Sequence, residues 1–566
     1  MRKHLYLVSV AALAATAGML MLALLLADPT SARAAPTATS RYVSAAAGTD
    51  TGECTYDAPC RTVQYALTQA NPGDTLIIAS GTYTGTLNVT RTTTLEGGYL
   101  RICLPNCTWL RLSCDPSLTV LDGLHAGRVV SVSSGVALTV NCLTIANGDA
   151  TGLGGGYLGE DAGGGLYARY SGRVLISNAV ISNNTASYTG YGGGIYADLT
   201  PLTLVNTQVI SNYANFGGGV ALDWANNSTI EGCEFTRNRS WGDAGGGLYI
   251  ANSRNVQVTA SSFSRNSAFN GGGLALNGVS SVVVTDSVFS NNNAVTAGGI
   301  YIYWSDAPSI RNCEIFSNTA TQKGGGLMVY GRSIYTTNPV LISGNVITSN
   351  NAQQGGGVCI SANNGTVLSR NQVSFNEADY GSGMYLKDST TYLYNDFVFS
   401  NHATTNGGGV YVDGGTSRMA HNTLVVNSSG GWGSGVHVIQ AATARLTNTI
   451  LAGYSYNNVY ASGIYVSAGA TATLEATLWG TGTLSYKYDW AGDGTILTGT
   501  VNIWADPDFV NPCGNDYHIG PDSAAIGRGV DAGVPTDFDG ETRVGAPDIG
   551  ADEYVTYTYL PLTMKE

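Results

Sequence analysis

A glycine triplet followed by an apolar–x–apolar run recurs down this chain at a near-constant interval. Gly192-Gly193-Gly194-Ile195-Tyr196-Ala197, Gly245-Gly246-Gly247-Leu248-Tyr249-Ile250 and Gly407-Gly408-Gly409-Val410-Tyr411-Val412 are three copies. The blocks run from Gly163 to Ala461, and the intervals between them range from 25 to 31 residues. A second marker keeps the same beat, an apolar residue three positions before an asparagine, as in Phe235–Asn238, Phe263–Asn266 and Phe289–Asn292. A period of this length means a repeat architecture and decides the fold before any other signal.

Within each repeat the apolar residues come in short runs separated by Gly, Asn and Ser, with no helical stretch between them. One such unit holds too few apolar side chains to offset the ordering of its own backbone. Coils stacked about 4.8 Å apart as parallel strands solve this by burying each repeat against the next. The expected fold is therefore all-β: a single-stranded right-handed parallel β-helix of about fifteen coils, roughly 70 Å long, closed by an N-terminal capping helix. In it the glycines turn tightly without a Cβ clash, and the asparagines take left-handed turn positions and hydrogen-bond up and down the rod. The residue between the two apolar positions after each glycine block faces outward, which builds an outer tyrosine column.

These motifs carry a resemblance. The chain resembles secreted bacterial right-handed β-helix proteins of the pectate-lyase-like superfamily, and more narrowly polymorphic outer-membrane-protein-type repeats, over roughly residues 41–555. The resemblance implies the fold and leaves activity open, because this fold hosts lyases, hydrolases, adhesins and inert surface proteins.

Five segments are expected. Residues 1–34 read as a signal peptide, with Arg2-Lys3-His4, an apolar run from Leu5 to Leu26 and Ala32-Arg33-Ala34 as a cleavage site. The apolar run is long for a signal core, so an uncleaved anchor is the alternative. Residues 35–73 form a lead-in and cap, in which Val63, Ala66, Leu67 and Ala70 mark a short amphipathic helix. Residues 74–505 form the β-helix, with a bulge expected at Gly331–Pro339. Residues 506–553 resemble a choice-of-anchor module, which follows β-helices in secreted bacterial proteins, and residues 554–566 are a tail with no apolar span. No transmembrane domain is expected once the signal is cleaved.

Charged residues make up only 11% of the chain and the net charge is −13, which argues against a nucleic-acid partner. In an exported chain Cys54 and Cys60 are the expected disulfide. Cys142, Cys233 and Cys313 share one inward repeat position and read as small core residues.

For chemistry, a β-helix lyase needs a calcium-binding carboxylate cluster and a base, and a hydrolase needs paired acids. Asp198 and Asp223, on adjacent coils, are the best catalytic candidates, read against the alternative of solvated turn acids. Short, uniform turns argue against a deep catalytic cleft. Asp537-x-Asp539-Gly540 resembles half of a calcium loop, making calcium the one cofactor to weigh; a structural turn is the other reading. The outer column offers a stacked sugar-binding platform from Tyr196, Tyr249, Tyr301, Tyr385 and Tyr411, flanked by Trp224 and Trp304. Against this stands the reading that tyrosines stack on parallel strands for stability alone. The favoured function is a secreted or cell-surface protein presenting a repetitive surface for adhesion or glycan binding, with an extracellular polysaccharide or cell-envelope component as partner. A polysaccharide lyase or glycoside hydrolase is the rival, and a purely structural surface protein the third reading.

Overall fold

The computed structural model describes residues 38–111, 113–331, 338–454 and 460–555. The signal-peptide segment, most of the tail and most of the 331–339 bulge lie outside the described residues. The chain forms an all-β parallel solenoid of about 14 turns. One coil runs through strands Val220–Asp223, Thr229–Glu231, Glu234–Thr236 and Arg239–Ser240. Each strand pairs in parallel with its counterpart on the next coil, Val220 opposite Leu248, Ile230 opposite Val258 and Phe235 opposite Phe263. The fourth strands stack separately into a nine-stranded sheet.

Exact register turns sequence repetition into columns of like residues. Phe235, Phe263 and Phe289 are fully buried, with ring centroids 4.6 and 4.7 Å apart in near-parallel stacks. The asparagines form a ladder inside the turn. Asn212 Nδ2 donates to Asn238 Oδ1 at 3.0 Å and to the Ile181 carbonyl at 2.9 Å, so its buried amide is satisfied. The pattern runs unbroken from Asn184 to Asn427. The left-handed turn position is not the asparagine's, as expected, but that of the residue before it: Ser211 has φ 55° and Arg237 φ 56°.

The glycine blocks are required by close approach. A Cβ on Gly192 would stand 2.1 Å from the Ile195 carbonyl oxygen, because the chain doubles back over the strand it is about to enter. A Cβ on Gly193 would stand 2.3 Å from the Tyr213 carbonyl oxygen of the next coil.

The solenoid's N-terminal end is closed by strand Ser40–Val43, paired with Thr75–Ile78, and by helix Val63–Gln69. Thr62 caps the helix, and Val63, Ala66 and Leu67 are buried beneath it. Disulfides join Cys54 to Cys60, Cys103 to Cys107, and Cys114 to Cys142. Cys142 therefore departs from the expected core role, since the excursion after Leu100 returns Cys114 to it; Cys233 and Cys313 are buried free thiols. Residues 506–555 lie along the flank of the late coils. Phe509, Tyr517 and Ile549 pack there against Phe397, Phe399 and Val425. Arg543 braces the segment internally through Glu553 at 2.9 Å and ties it to the solenoid by donating to Asn395 Oδ1 at 3.0 Å. No helix among the described residues is long and apolar enough to cross a membrane.

Candidate functional site

The tyrosine column faces away from the main core, as the period-two rule requires, but much of it does not face water. Aromatic residues just before three of the glycine blocks fold over it. Tyr191 reaches Tyr196 at 5.9 Å, Phe216 reaches Tyr249 at 5.3 Å and Tyr380 reaches Tyr411 at 5.8 Å between ring centroids. The column becomes a second hydrophobic layer, in which Tyr196, Tyr249, Tyr385 and Tyr411 are all buried. This corrects the platform expectation for these four rings, which have no open face for a sugar. Two of the hydroxyls are paired, since Asn277 donates to Tyr249 and Tyr385 donates to Asp413, while the Tyr196 hydroxyl is buried without a partner. Burial pushes the hydroxyls of Tyr196, Tyr249, Tyr385 and Tyr411 above the ordinary phenol range. The glycine fold-back that decides this is a tertiary feature, and only the aromatic residues ahead of some blocks, such as Tyr191 and Phe216, hint at it in sequence.

Exposure survives one position further along. The residue that follows each leading strand takes the left-handed conformation: Trp224 at φ 49°, Asn252 at 50°, Gly278 at 60° and Trp304 at 47°. A bulky residue there is strained where glycine is not. The turn throws both indoles outward, leaving Trp224 49% and Trp304 42% exposed. The leading strands are in register, so the two indoles stand three coils, about 14 Å, apart. Between them lie only small residues, Ala251, Asn252, Asn277 and Gly278. The result is a shallow trough with an indole at each end.

Its floor is polar and held in place. Asn252 Nδ2 donates to Asp223 Oδ1 at 2.9 Å, and the Asn277 amide is held by Tyr249 at 3.0 Å. Beyond Trp304 the aromatic surface continues. Tyr303 lies 5.8 Å from Tyr330 with planes 3° apart and 6.0 Å from Tyr301. Near-parallel rings this far apart are slipped past each other, which leaves part of each face open. Gly331 closes this end, since a Cβ there would stand 2.5 Å from Trp304 Nε1. Tyr301 is half-buried and Tyr330 exposed. Of the expected ligand residues, Trp304 and Tyr301 thus belong to an accessible surface. Tyr303 and Tyr330 are additions that the fourth position of the strand, outward by the same period-two rule, could have pointed to.

Asp198 and Asp223 lie directly opposite each other on adjacent strands at the other end of the trough. Both are nearly buried, and burial pushes both carboxyls above the ordinary range. Asp198 is tied to Arg169 Nε at 2.7 Å, which opposes its shift.

The half calcium loop divides. Asp537 is buried and accepts the backbone N–H groups of Glu541 at 2.7 Å and Glu553 at 3.1 Å, so it holds a turn. Asp539 instead approaches His518 Nε2 at 3.1 Å, and the potential ligand atoms of His518, Asp539 and Asp552 lie within 4.8 Å of one another. One imidazole and two carboxylates make a set suited to a transition metal rather than to calcium, which takes six or more oxygens. Burial alone would lower His518, but Asp516, Asp552 and Asp539 raise it above its ordinary range.

The family model for the right handed beta helix region matches residues 129–315 and 272–451, more than half of the chain. The chain belongs to the right-handed β-helix family. The match gives the solenoid its hand, which is right-handed. No curated protein matches the chain. Among solved structures, the pectate lyase Pel9A is 11% identical over 92% of this chain and 97% of its own, with a TM-score of 0.30. XylC in complex with xylose is 8% identical over 91% and 98%, with a TM-score of 0.29. The family 28 exopolygalacturonase of Yersinia enterocolitica is 12% identical over 84% and 81%, with a TM-score of 0.26. Likeness at this level carries no information about chemistry, so the function must be read from the site.

Proposed function

We propose that this β-helix protein acts outside the cell and binds a polysaccharide or cell-envelope glycan in the trough between Trp224 and Trp304. One observation carries the reading: two exposed indoles stand at the same strained repeat position, separated by coils whose residues are small and polar. Indole faces suit the C–H faces of sugar rings, and fixed amides on the floor suit hydroxyls. Three disulfides support an oxidising compartment. The 506–553 segment, in its resemblance to choice-of-anchor modules, supports attachment at the cell surface. The test is a glycan array with the purified protein, followed by titration of the best ligand. Trp224→Ala and Trp304→Ala should each weaken binding at least tenfold with the β-sheet circular dichroism unchanged. Wild-type affinity in both variants would refute the reading.

A second reading rests on Asp198 and Asp223. Two acids with upward-shifted carboxyls border Trp224, which favours glycoside hydrolysis in the same trough. Release of reducing ends from a polysaccharide panel, abolished by Asp223→Asn, would support it. An inert wild-type protein would leave binding alone.

A further inference from the structure

The nine-stranded sheet presents a second open face, away from the trough. In its strands the middle residue is small and turned inward; Ala294, Ala320, Ala352, Ala378 and Ala403 are all buried. The residues on either side of that middle position point out, so the face carries two parallel outward rows. Toward its N-terminal end the face is aromatic. Tyr188 and Tyr213 lie 6.2 and 5.8 Å from Trp241, with planes inclined by 22° and 24°, and Phe269 is 49% exposed. Farther along, the face becomes a polar trough of about 520 Å³, lined by Asn351, Gln353, Glu377, Asp379, His402 and Thr404. Two of its groups are already oriented: Thr404 donates to Asp379 Oδ1 at 2.7 Å, and His402 Nδ1 hydrogen-bonds Ser428 Oγ at 2.9 Å.

We propose that this face is a binding track for a neutral, extended polysaccharide lying along the solenoid axis, about one sugar per coil. Successive strands are about 4.8 Å apart, close to the advance per sugar of an extended β-1,4-linked chain. Stacking groups and hydrogen-bonding groups thus recur in step with the ligand. The slipped rings leave partial faces for sugar C–H groups. The amide, hydroxyl and carboxylate groups of the trough match hydroxyls as donors and acceptors. Glu377 and Asp379, set two residues apart on the same side of one strand, would repel a polyuronate. The neutral class follows from that charge. The track is separate from the Trp224–Trp304 trough and does not rest on it.

The test is calorimetric titration of the full chain with neutral β-1,4-linked gluco-, xylo- and manno-oligosaccharides of increasing length, with polygalacturonate alongside. Affinity for at least one neutral series should rise with each added sugar beyond three. Trp241→Ala and Glu377→Gln, both surface changes, should each weaken it at least fivefold, while Val544→Ser, at an exposed position of the C-terminal segment outside both surfaces, leaves it unchanged. Loss of binding in Trp304→Ala with wild-type affinity in Trp241→Ala would place the ligand in the other trough and overturn the track. So would an affinity that stops rising at three sugars, preference for polygalacturonate, or no neutral oligosaccharide bound by the folded protein.

Discussion

Replacing Asp396 with asparagine should stabilise this protein by an amount that grows with pH. A second ladder, in the turn before the third strand, runs through Asn345, Asn371, Asp396 and Asn422. Asn345 and Asn422 each donate an amide N–H to a backbone carbonyl, of Ile310 and Leu393 respectively, both at 3.0 Å. Asp396 accepts from Asn371 Nδ2 at 3.0 Å through Oδ1, but its Oδ2 is buried without a partner where an asparagine would have a donor. Burial pushes this carboxyl up to about 7, against the opposing pull of the Asn371 hydrogen bonds. In the unfolded chain it titrates near 3.9. Between those values the native state holds a proton that the unfolded state has released, so stability falls as pH rises, by up to about 1.4 kcal/mol per unit. About three units give a deficit of about 4 kcal/mol, complete above pH 7 and absent below about pH 4. Asp396→Asn supplies the missing donor and removes the titration. Guanidinium unfolding followed by circular dichroism at pH 4, 5.5 and 8 should show a gap between variant and wild type that opens with pH. An equal gap at pH 4 and pH 8, or a less stable variant at pH 8, would refute the argument.

Two further changes test the architecture. Asn292→Ala removes the acceptor of Asn266 Nδ2 and the donor to the Phe263 carbonyl, and should cost about 2–4 kcal/mol in the same unfolding assay. An unaltered midpoint would mean that the ladder contributes nothing net. Tyr411→Ser empties part of the outer apolar layer and should cost about 3 kcal/mol while leaving glycan affinity unchanged, because the ring is buried. Lost affinity at full stability would return that tyrosine to the binding surface.

Much of this molecule was legible in its residues. The spacing of glycine blocks and asparagines dictated a solenoid, since stacking equal repeats is the one way so many short apolar strands bury themselves. The short helix at Val63–Gln69 could be read from its apolar spacing because its partner is simply the open end of the stack. The flank that receives the C-terminal module was also written, unread, in the chain: Phe397-Val398-Phe399 breaks the alternation of the earlier third strands, and both phenylalanines are buried under that module.

The candidate site was less legible, for a physical reason. Alternation along a strand determines which side of the sheet a residue occupies, and it did so correctly for Tyr196 and Tyr411. Whether that side meets solvent depends on a different stretch of chain, the segment that folds back at Gly192 and its counterparts to lie over the tyrosines. Asp539 likewise meets His518 only because its loop returns to the strand Asp516–Ile519. Periodicity is local and survives in the sequence. Coverage and convergence depend on how neighbouring coils and separate segments meet, as Phe216 does over Tyr249 and Tyr380 over Tyr411, and only the folded structure decides them.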